Sequence, residues 1–205
     1  MMTGEGRARE PGPAQPGGRP PAPGDLALVQ AFVNAHYDLE VEHGADLFAT
    51  PAGLAAWLAD RALLPAGGAL RHADVTRAVA VREGLRGMAA ANNGAAAPVS
   101  RVDLAGLNAA AAGARVEIRL DPGGPRFAAT GAGLDRALGQ VLAIAATAML
   151  DGTWWRLKVC PGDHCGWAFY DHSRNQTGRW CSMRVCGGRA KARAHYQRRR
   201  DGDPA

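Results

Sequence analysis

Aromatic residues make up only 6% of this 205-residue chain, and much of its apolar content is alanine. Scarce rings argue against a sheet sandwich and for closely packed helices. Cysteine is scarcer still, with four residues, none of them before position 160. Thiol chemistry is therefore confined to one C-terminal segment. No apolar segment stands near the N-terminus, where a secretory signal would lie. The longest apolar run, 141–150, is too short to span a bilayer and reads as a buried helix. These absences lead us to expect a cytoplasmic protein without a membrane segment, where clustered cysteines favour metal over disulfide. No nucleophile is paired with a base, and no glycine-rich phosphate cradle joins a strand to a helix. We expect no catalytic site.

Acidic residues are missing where basic ones gather. Positions 154–200 hold eleven Lys or Arg against two acids, Asp163 and Asp171, a net of +9, while the remainder carries −4. A mildly acidic body with a strongly basic end suggests a polyanionic partner for that end. The length allows one medium domain and a small one.

Residues 1–24 are dominated by Pro and Gly and read as a disordered leader. A mainly α domain with one β-hairpin is expected over 25–151. Asp25 is placed to cap a short helix carrying Leu26, Val29, Phe32 and Val33. The polar cluster Asn34, His36, Asp38, Glu40, Glu42, His43 and Asp46 fixes no single face, so it reads as a loop rather than a metal site. Thr50 as N-cap and Pro51 in the first helical position open a helix through Leu54, Trp57 and Leu58. A longer helix over 74–91 carries Arg77, Arg82 and Arg86 on one flank, read as a solvated face, with an anionic ligand or an acidic neighbour as the other readings, and Asn92-Asn93-Gly94 breaks it. Ser100 and Asp103 have capping-box spacing for a helix closed by Gly113. Residues 115–120 alternate polar and apolar, Asp121-Pro122-Gly123-Gly124 turns, and 126–130 return as a hairpin. A helix over 134–150 ends the body at Asp151-Gly152.

Over 152–201 the cysteines set the organisation. Cys160 and Cys165 are separated by four residues, as are Cys181 and Cys186. Two such pairs make a tetrahedral thiolate set, which suits one structural Zn²⁺. An iron–sulfur cluster and redox-active thiols are the other chemistries open to four cysteines. Short strands over 154–159 and 166–170, followed by a basic helix over 189–200, would form a treble-clef-like or ribbon-like zinc finger. Such a unit is too small to fold on apolar burial alone. Four thiolates leave no open position for chemistry at the metal. Lys191, His195 and Arg198 fall along one line of the helix, with Arg189, Arg193 and Arg200 on the next and Arg199 beside them. Arg179 and Arg184 flank the second cysteine pair. A cationic helix of this size fits the DNA major groove.

The stretch Trp180-Cys-Ser-Met-Arg-Val-Cys-Gly-Gly-Arg-Ala-Lys-Ala-Arg193 resembles the signature of the CGNR zinc-finger family. So does Cys160-x4-Cys165-Gly-Trp-x-Phe-x-Asp-x-Ser-Arg174-Asn175. In that family the finger follows a helical domain known as ABATE, described as a stress-induced transcription regulator. Asp46-Leu-Phe-Ala-Thr-Pro51 and the helices after it look like that domain. The resemblance implies Cys160, Cys165, Cys181 and Cys186 as zinc ligands, and Arg174, Arg189 and Lys191 as part of a DNA-facing surface. Gly188 stands where the family name has Asn. The expected function is DNA-binding transcriptional regulation with a sensing or assembling body. The alternatives are a zinc-stabilised protein-interaction adaptor or an RNA-binding protein. A homodimer and a small-molecule ligand of the body stay open, and no dimer interface is visible in the sequence.

Overall fold

Local capping signals set most of the helix boundaries. The computed structural model of the protein describes residues 15–36, 46–94, 99–200 and 202. Five helices, α1 (Leu26–Val33), α2 (Pro51–Asp60), α3 (His72–Ala91), α4 (Arg101–Gly113) and α5 (Gly133–Leu150), build the body. The Thr50 hydroxyl accepts from the Gly53 N–H at 3.0 Å and Ser100 accepts from Asp103 at 3.0 Å, as their spacing requires. Asp25 holds the N-cap position of α1 without a side-chain capping bond. α3 begins before Asp74 because that carboxylate reaches back to accept from the Arg71 N–H at 2.9 Å.

Between α4 and α5 an antiparallel hairpin pairs β1 (Val116–Asp121) with β2 (Gly124–Ala129), in register from Val116↔Ala129 to Asp121↔Gly124. A second two-stranded sheet, β3 (Leu157–Val159) with β4 (Ala168–Tyr170), follows α5. α6 (Gly188–Arg200) completes the order. The expected strand over 154–159 is shorter than its apolar pattern suggested, because Trp154–Arg156 forms a 3₁₀ turn that sinks Trp154 into the core.

The core is continuous from body to finger. Phe32, Phe48 and Trp57 form a ring cluster with centroids 5.2–5.6 Å apart. Val29, Leu85 and Leu138 join the same buried set as Trp154, Leu157, Val159, Ala168 and Tyr170. One face of the β3–β4 sheet thus packs on α1 and α3, while Trp167 and Phe169 join the four cysteines in a second, smaller buried cluster of the finger.

Three readings change. α5 is longer than its apolar run and could cross a bilayer by length and composition, but its Leu134, Leu138, Val141 and Ala145 face is buried in the core. On the arginine flank of α3, Arg77 is exposed, but Arg82 and Arg86 are not solvated and have acidic neighbours. Arg82 is 2% exposed, pairing with both Asp46 oxygens at 2.6 and 3.0 Å and with Glu83 at 2.7 Å. Arg77 pairs with Asp135, and Arg86 binds Glu83 and the carbonyls of Val33, His36 and Gly166. Residues 15–24 of the Pro- and Gly-rich leader run as a strap against the finger, while the rest of that leader lies outside the described residues. Of the polar cluster, residues 37–45 also lie outside the described residues, while Asn34 and Asp46 serve as structural partners.

Because Leu157 is fully buried in the shared core, Leu157→Ala should cost about 3 kcal/mol. Body and finger should then unfold together in one lowered transition, which calorimetry with zinc present would read.

Candidate metal centre and nucleic-acid interface

A three-residue strand pair exposes nearly as much backbone as it pairs, and here side-chain amides finish its edges. Within the sheet, Cys160 N donates to Trp167 O at 2.9 Å and Asp171 N donates to Arg156 O at 2.8 Å. The carbonyls of Leu157 and Val159 and both backbone groups of Ala168 therefore point outward. Asn34 answers Ala168 as another strand would, donating to its carbonyl at 2.8 Å and accepting from its N–H at 2.8 Å. Asn92 donates to Leu157 O at 2.8 Å and Asn93 to Val159 O at 2.8 Å. Asn93 also reaches Arg179 O at 2.8 Å, tying α3 to the approach of the second cysteine pair.

The strap adds a third support. Gln15 accepts from the Trp167 indole at 3.0 Å and from Gln30 at 2.8 Å. Arg19 donates to the carbonyls of Cys181 and Trp180, both at 3.2 Å, with its guanidinium 5.0 Å from the Phe169 ring centre. His172 Nε2 lies 3.2 and 3.1 Å from the carbonyl oxygens of Pro20 and Pro21. Proline-rich segments leave their carbonyls unpaired by any helix, which makes them good acceptors for such docking.

These supports bring all four cysteines together. Cys160, Cys165, Cys181 and Cys186 are buried, and their Sγ atoms lie within 4.8 Å of one another. Cys165 to Cys181 and Cys181 to Cys186 are each 3.6 Å. A tetrahedral zinc tetrathiolate has sulfur–sulfur edges of about 3.8 Å from its 2.3 Å bonds, so the set fits the ion. Gly162 sits so close that a Cβ there would meet Cys186 Sγ at 3.2 Å and its Cβ at 3.3 Å. Hydrogen bonds from the thiols of Cys165 and Cys181, and from the Cys181 and Gly162 backbone, draw the Cys160 pKa well below the usual thiol range. Ionised Cys160 in turn pushes Cys165 and Cys181 upward. A divalent cation held by the four sulfurs would favour their ionised forms, since thiolates are the metal-binding state of cysteine.

Beside the cysteines, a buried ion pair shapes the loop after β4. Lys158 Nζ donates to Asp171 Oδ2 at 2.8 Å and to Gly178 O at 3.1 Å. Asp171 also accepts from the Gly178 N–H at 2.7 Å and the Ser173 N–H at 3.0 Å. Burial works to raise the Asp171 pKa, but the Lys158 and Ser173 bonds outweigh it and bring it down to about 2. The loop so pinned carries Arg174 on its exposed rim.

From the second cysteine pair the chain enters a wide π turn (Met183–Gly187), opened by the Ser182 hydroxyl accepting from Val185 N–H at 3.4 Å. α6 springs directly from it. Gly188 has φ −64° and ψ −46°, ordinary helical values, and a Cβ there would meet only Met183 O at 3.6 Å. Glycine's backbone freedom is therefore not used at this position, and an asparagine would fit. Arg189, Lys191, Arg193, Arg198, Arg199 and Arg200 of α6 are all exposed, as are Arg179 and Arg184. Arg193 pairs with Asp163 at 2.5 Å, linking α6 to the loop between the first two cysteines. Arg179 lies 5.9 Å from the Trp180 ring.

The body holds one more feature, an open cleft of about 1130 Å³ between β2, α5 and the strap, lined by Arg126, Phe127, Thr130, Arg136, Gln140 and Ile144 among others.

Fold and site together define a helical body fused to a four-thiolate metal knuckle that presents a cationic helix. Residues 25–153 match ABATE, described as "Putative stress-induced transcription regulator", and residues 156–199 match the CGNR zinc finger. The chain belongs to the ABATE family and carries a CGNR zinc finger. None of the curated proteins compared with it matches.

Sequence spacing found the cysteines but missed Arg19, Gln30, Asn34, Arg86, Asn92 and Asn93, the residues that hold the finger on the body. Their only signal is amides and arginines at the ends of apolar helices, a pattern shared with ordinary caps and breakers.

Asp171→Asn leaves Lys158 buried without its counter-charge and should cost about 3 kcal/mol. The folded-state pKa lies below the ordinary carboxylate value, so this stabilisation is complete above about pH 4 and is lost as pH falls toward about 2. Urea unfolding at stepped pH should show a steeper acid decline in the wild type than in the variant. Cysteine protonation is common to both and cancels in the comparison.

Proposed function

We propose that the chain is a DNA-binding transcription regulator in which one structural zinc ion, held by Cys160, Cys165, Cys181 and Cys186, aims a cationic helix at the duplex. The observation that carries the reading is α6 itself. None of its thirteen residues is buried, six are Lys or Arg, and its root is anchored beside the cysteines. A helix of this length is marginal alone, and its like charges repel. Among the described residues it buries nothing against the body, and a polyanion is a surface that would stabilise it. Arg174, Arg179 and Arg184 supply exposed charge nearby for phosphates. Duplex DNA is favoured over RNA because the deep, narrow A-form major groove does not admit a helix. With four thiolates closing its shell, the metal has a structural rather than a catalytic task. The cleft beside α5 is where we place a small-molecule effector of the body.

Metal analysis of purified protein should give one equivalent of zinc, lost on Cys181→Ser; less than about half an equivalent, or iron in its place, would sink the zinc assignment. Duplex binding by anisotropy should fall with salt at a log–log slope of about −5, for roughly six phosphates neutralised, and Lys191→Ala should reduce that slope by about one. Absence of duplex binding at low salt would remove the DNA reading and leave the adaptor. Tighter binding to structured RNA than to DNA would replace it with an RNA-binding role.

A further inference from the structure

The two sheets treat their edges differently. Around β3–β4, Asn34, Asn92 and Asn93 cover the outward carbonyls of Leu157 and Val159 and both backbone groups of Ala168. In the hairpin, β2 carries Pro125, which has no N–H to offer at its edge. β1 has no such protection among the described residues. Arg115 O accepts from Thr130 N at 3.3 Å, which fixes the alternation: odd-numbered residues of β1 face β2. The N–H and C=O groups of Val116, Ile118 and Leu120 therefore face outward, and among the described residues nothing bonds them. On the same residues, Ile118 is 69% and Leu120 82% exposed. A bare strand edge with an uncovered apolar face is a template for another strand.

We propose that β1 pairs antiparallel with β1 of a second copy about a two-fold axis through Ile118, making a four-stranded sheet across a homodimer. The sequence of β1 is its own complement in that register. Val116 lies opposite Leu120 of the second copy, Ile118 opposite Ile118, and Glu117 opposite Arg119, so every apolar residue meets an apolar one and each charge its opposite. The backbone alternation admits this register, because only even-numbered residues offer outward groups and here even meets even. Sliding by one step of the ladder sets Glu117 on Glu117 or Arg119 on Arg119. The pairing also relieves a like-charge contact inside the hairpin. Arg119 stands opposite Arg126, and Asp121 is bonded to Arg126 at 2.7 Å while Arg119 has only Glu117 at 3.8 Å. Closed two-fold symmetry follows from the self-complementarity, so the assembly stops at two. This inference does not rest on DNA binding.

Sedimentation equilibrium of the full-length, zinc-loaded chain tests it. The wild type should be a dimer. Glu117→Arg or Arg119→Glu alone should weaken the dimer at least about tenfold, and the two together should restore it, since the opposite charges meet again. Ile118→Pro should abolish the dimer while preserving zinc content and helical circular dichroism, because the N–H it removes faces away from β2. As a check that needs no loss of function, Ile118→Cys should cross-link to a covalent dimer under mild oxidation, its Cα partner lying about 5.5 Å away. Leu120→Cys should not, since the two copies of that position are about 14 Å apart along the strand. A monomeric wild type, a dimer indifferent to the single charge reversals, or equal cross-linking at both positions would overturn the proposal.

Discussion

Two three-residue strands cannot satisfy their own backbones, and the construction of the finger follows from that shortage. Asn34 offers Ala168 one acceptor and one donor, the pair of bonds a third strand would supply. Asn92 and Asn93 do the same for the carbonyls on the opposite edge. Each of these bonds carries a modest net stabilisation, but leaving the buried group unpaired costs about 1–3 kcal/mol. The amides therefore fix position more than they add stability. They hold β3 and β4 where Cys160 and Cys165 must stand, and Asn93 extends the hold to Arg179, two residues before Cys181.

This changes what a metal has to do here. An isolated knuckle of this size depends on its ion for folding. In this chain the shared apolar core, the amide bonds and the strap also hold the segments that carry the four cysteines. A divalent cation held there would stabilise the charge of the thiolates and tie the two cysteine pairs to each other. Its structural consequence is felt at Cys186, because the π turn passes directly into α6. Among the described residues, that turn and the Arg193–Asp163 pair are the main anchorage of the helix. Removing the cation should therefore free α6 first and disturb α1 to α5 least.

Legibility in the sequence followed the kind of interaction. Thr50-Pro51, Ser100–Asp103 and the hairpin turn are local signals, and their elements stand where the spacing put them. The cysteine pairs are likewise a spacing code, needing no knowledge of the fold. Arg82 and Arg86 were misread because helical periodicity reports only the apolar stripe. It cannot show that Asp46 approaches Arg82, or that backbone carbonyls from α1 and the finger approach Arg86. The strap was hidden for a related reason. Composition asks whether a segment can bury apolar surface, and residues 15–24 bury little; they dock instead through Gln15, Arg19 and the proline carbonyls. Whether position 188 needs glycine is visible only in the dihedral angles, which show a plain helical residue with room beside it.

The same attention to backbone polarity gives meaning to the β1 edge, which nothing among the described residues covers. A protein that places three asparagines to close one small sheet has the means to close another, yet β1 keeps its outward groups free and its face apolar. An edge of that kind invites indiscriminate association unless its side chains restrict the partner. Glu117 and Arg119 impose that restriction, because they match only when the strand meets its own reverse about Ile118. Part of the cost of exposing Ile118 and Leu120 in a monomer is then recovered, about 0.2–1 kcal/mol for each cross-strand pair. A single small finger has a narrow footprint on a polyanion, and two copies held by one rigid ladder bring two cationic helices into a fixed relation. The hairpin would thus set the spacing of whatever α6 contacts, although it lies on the body and not in the finger.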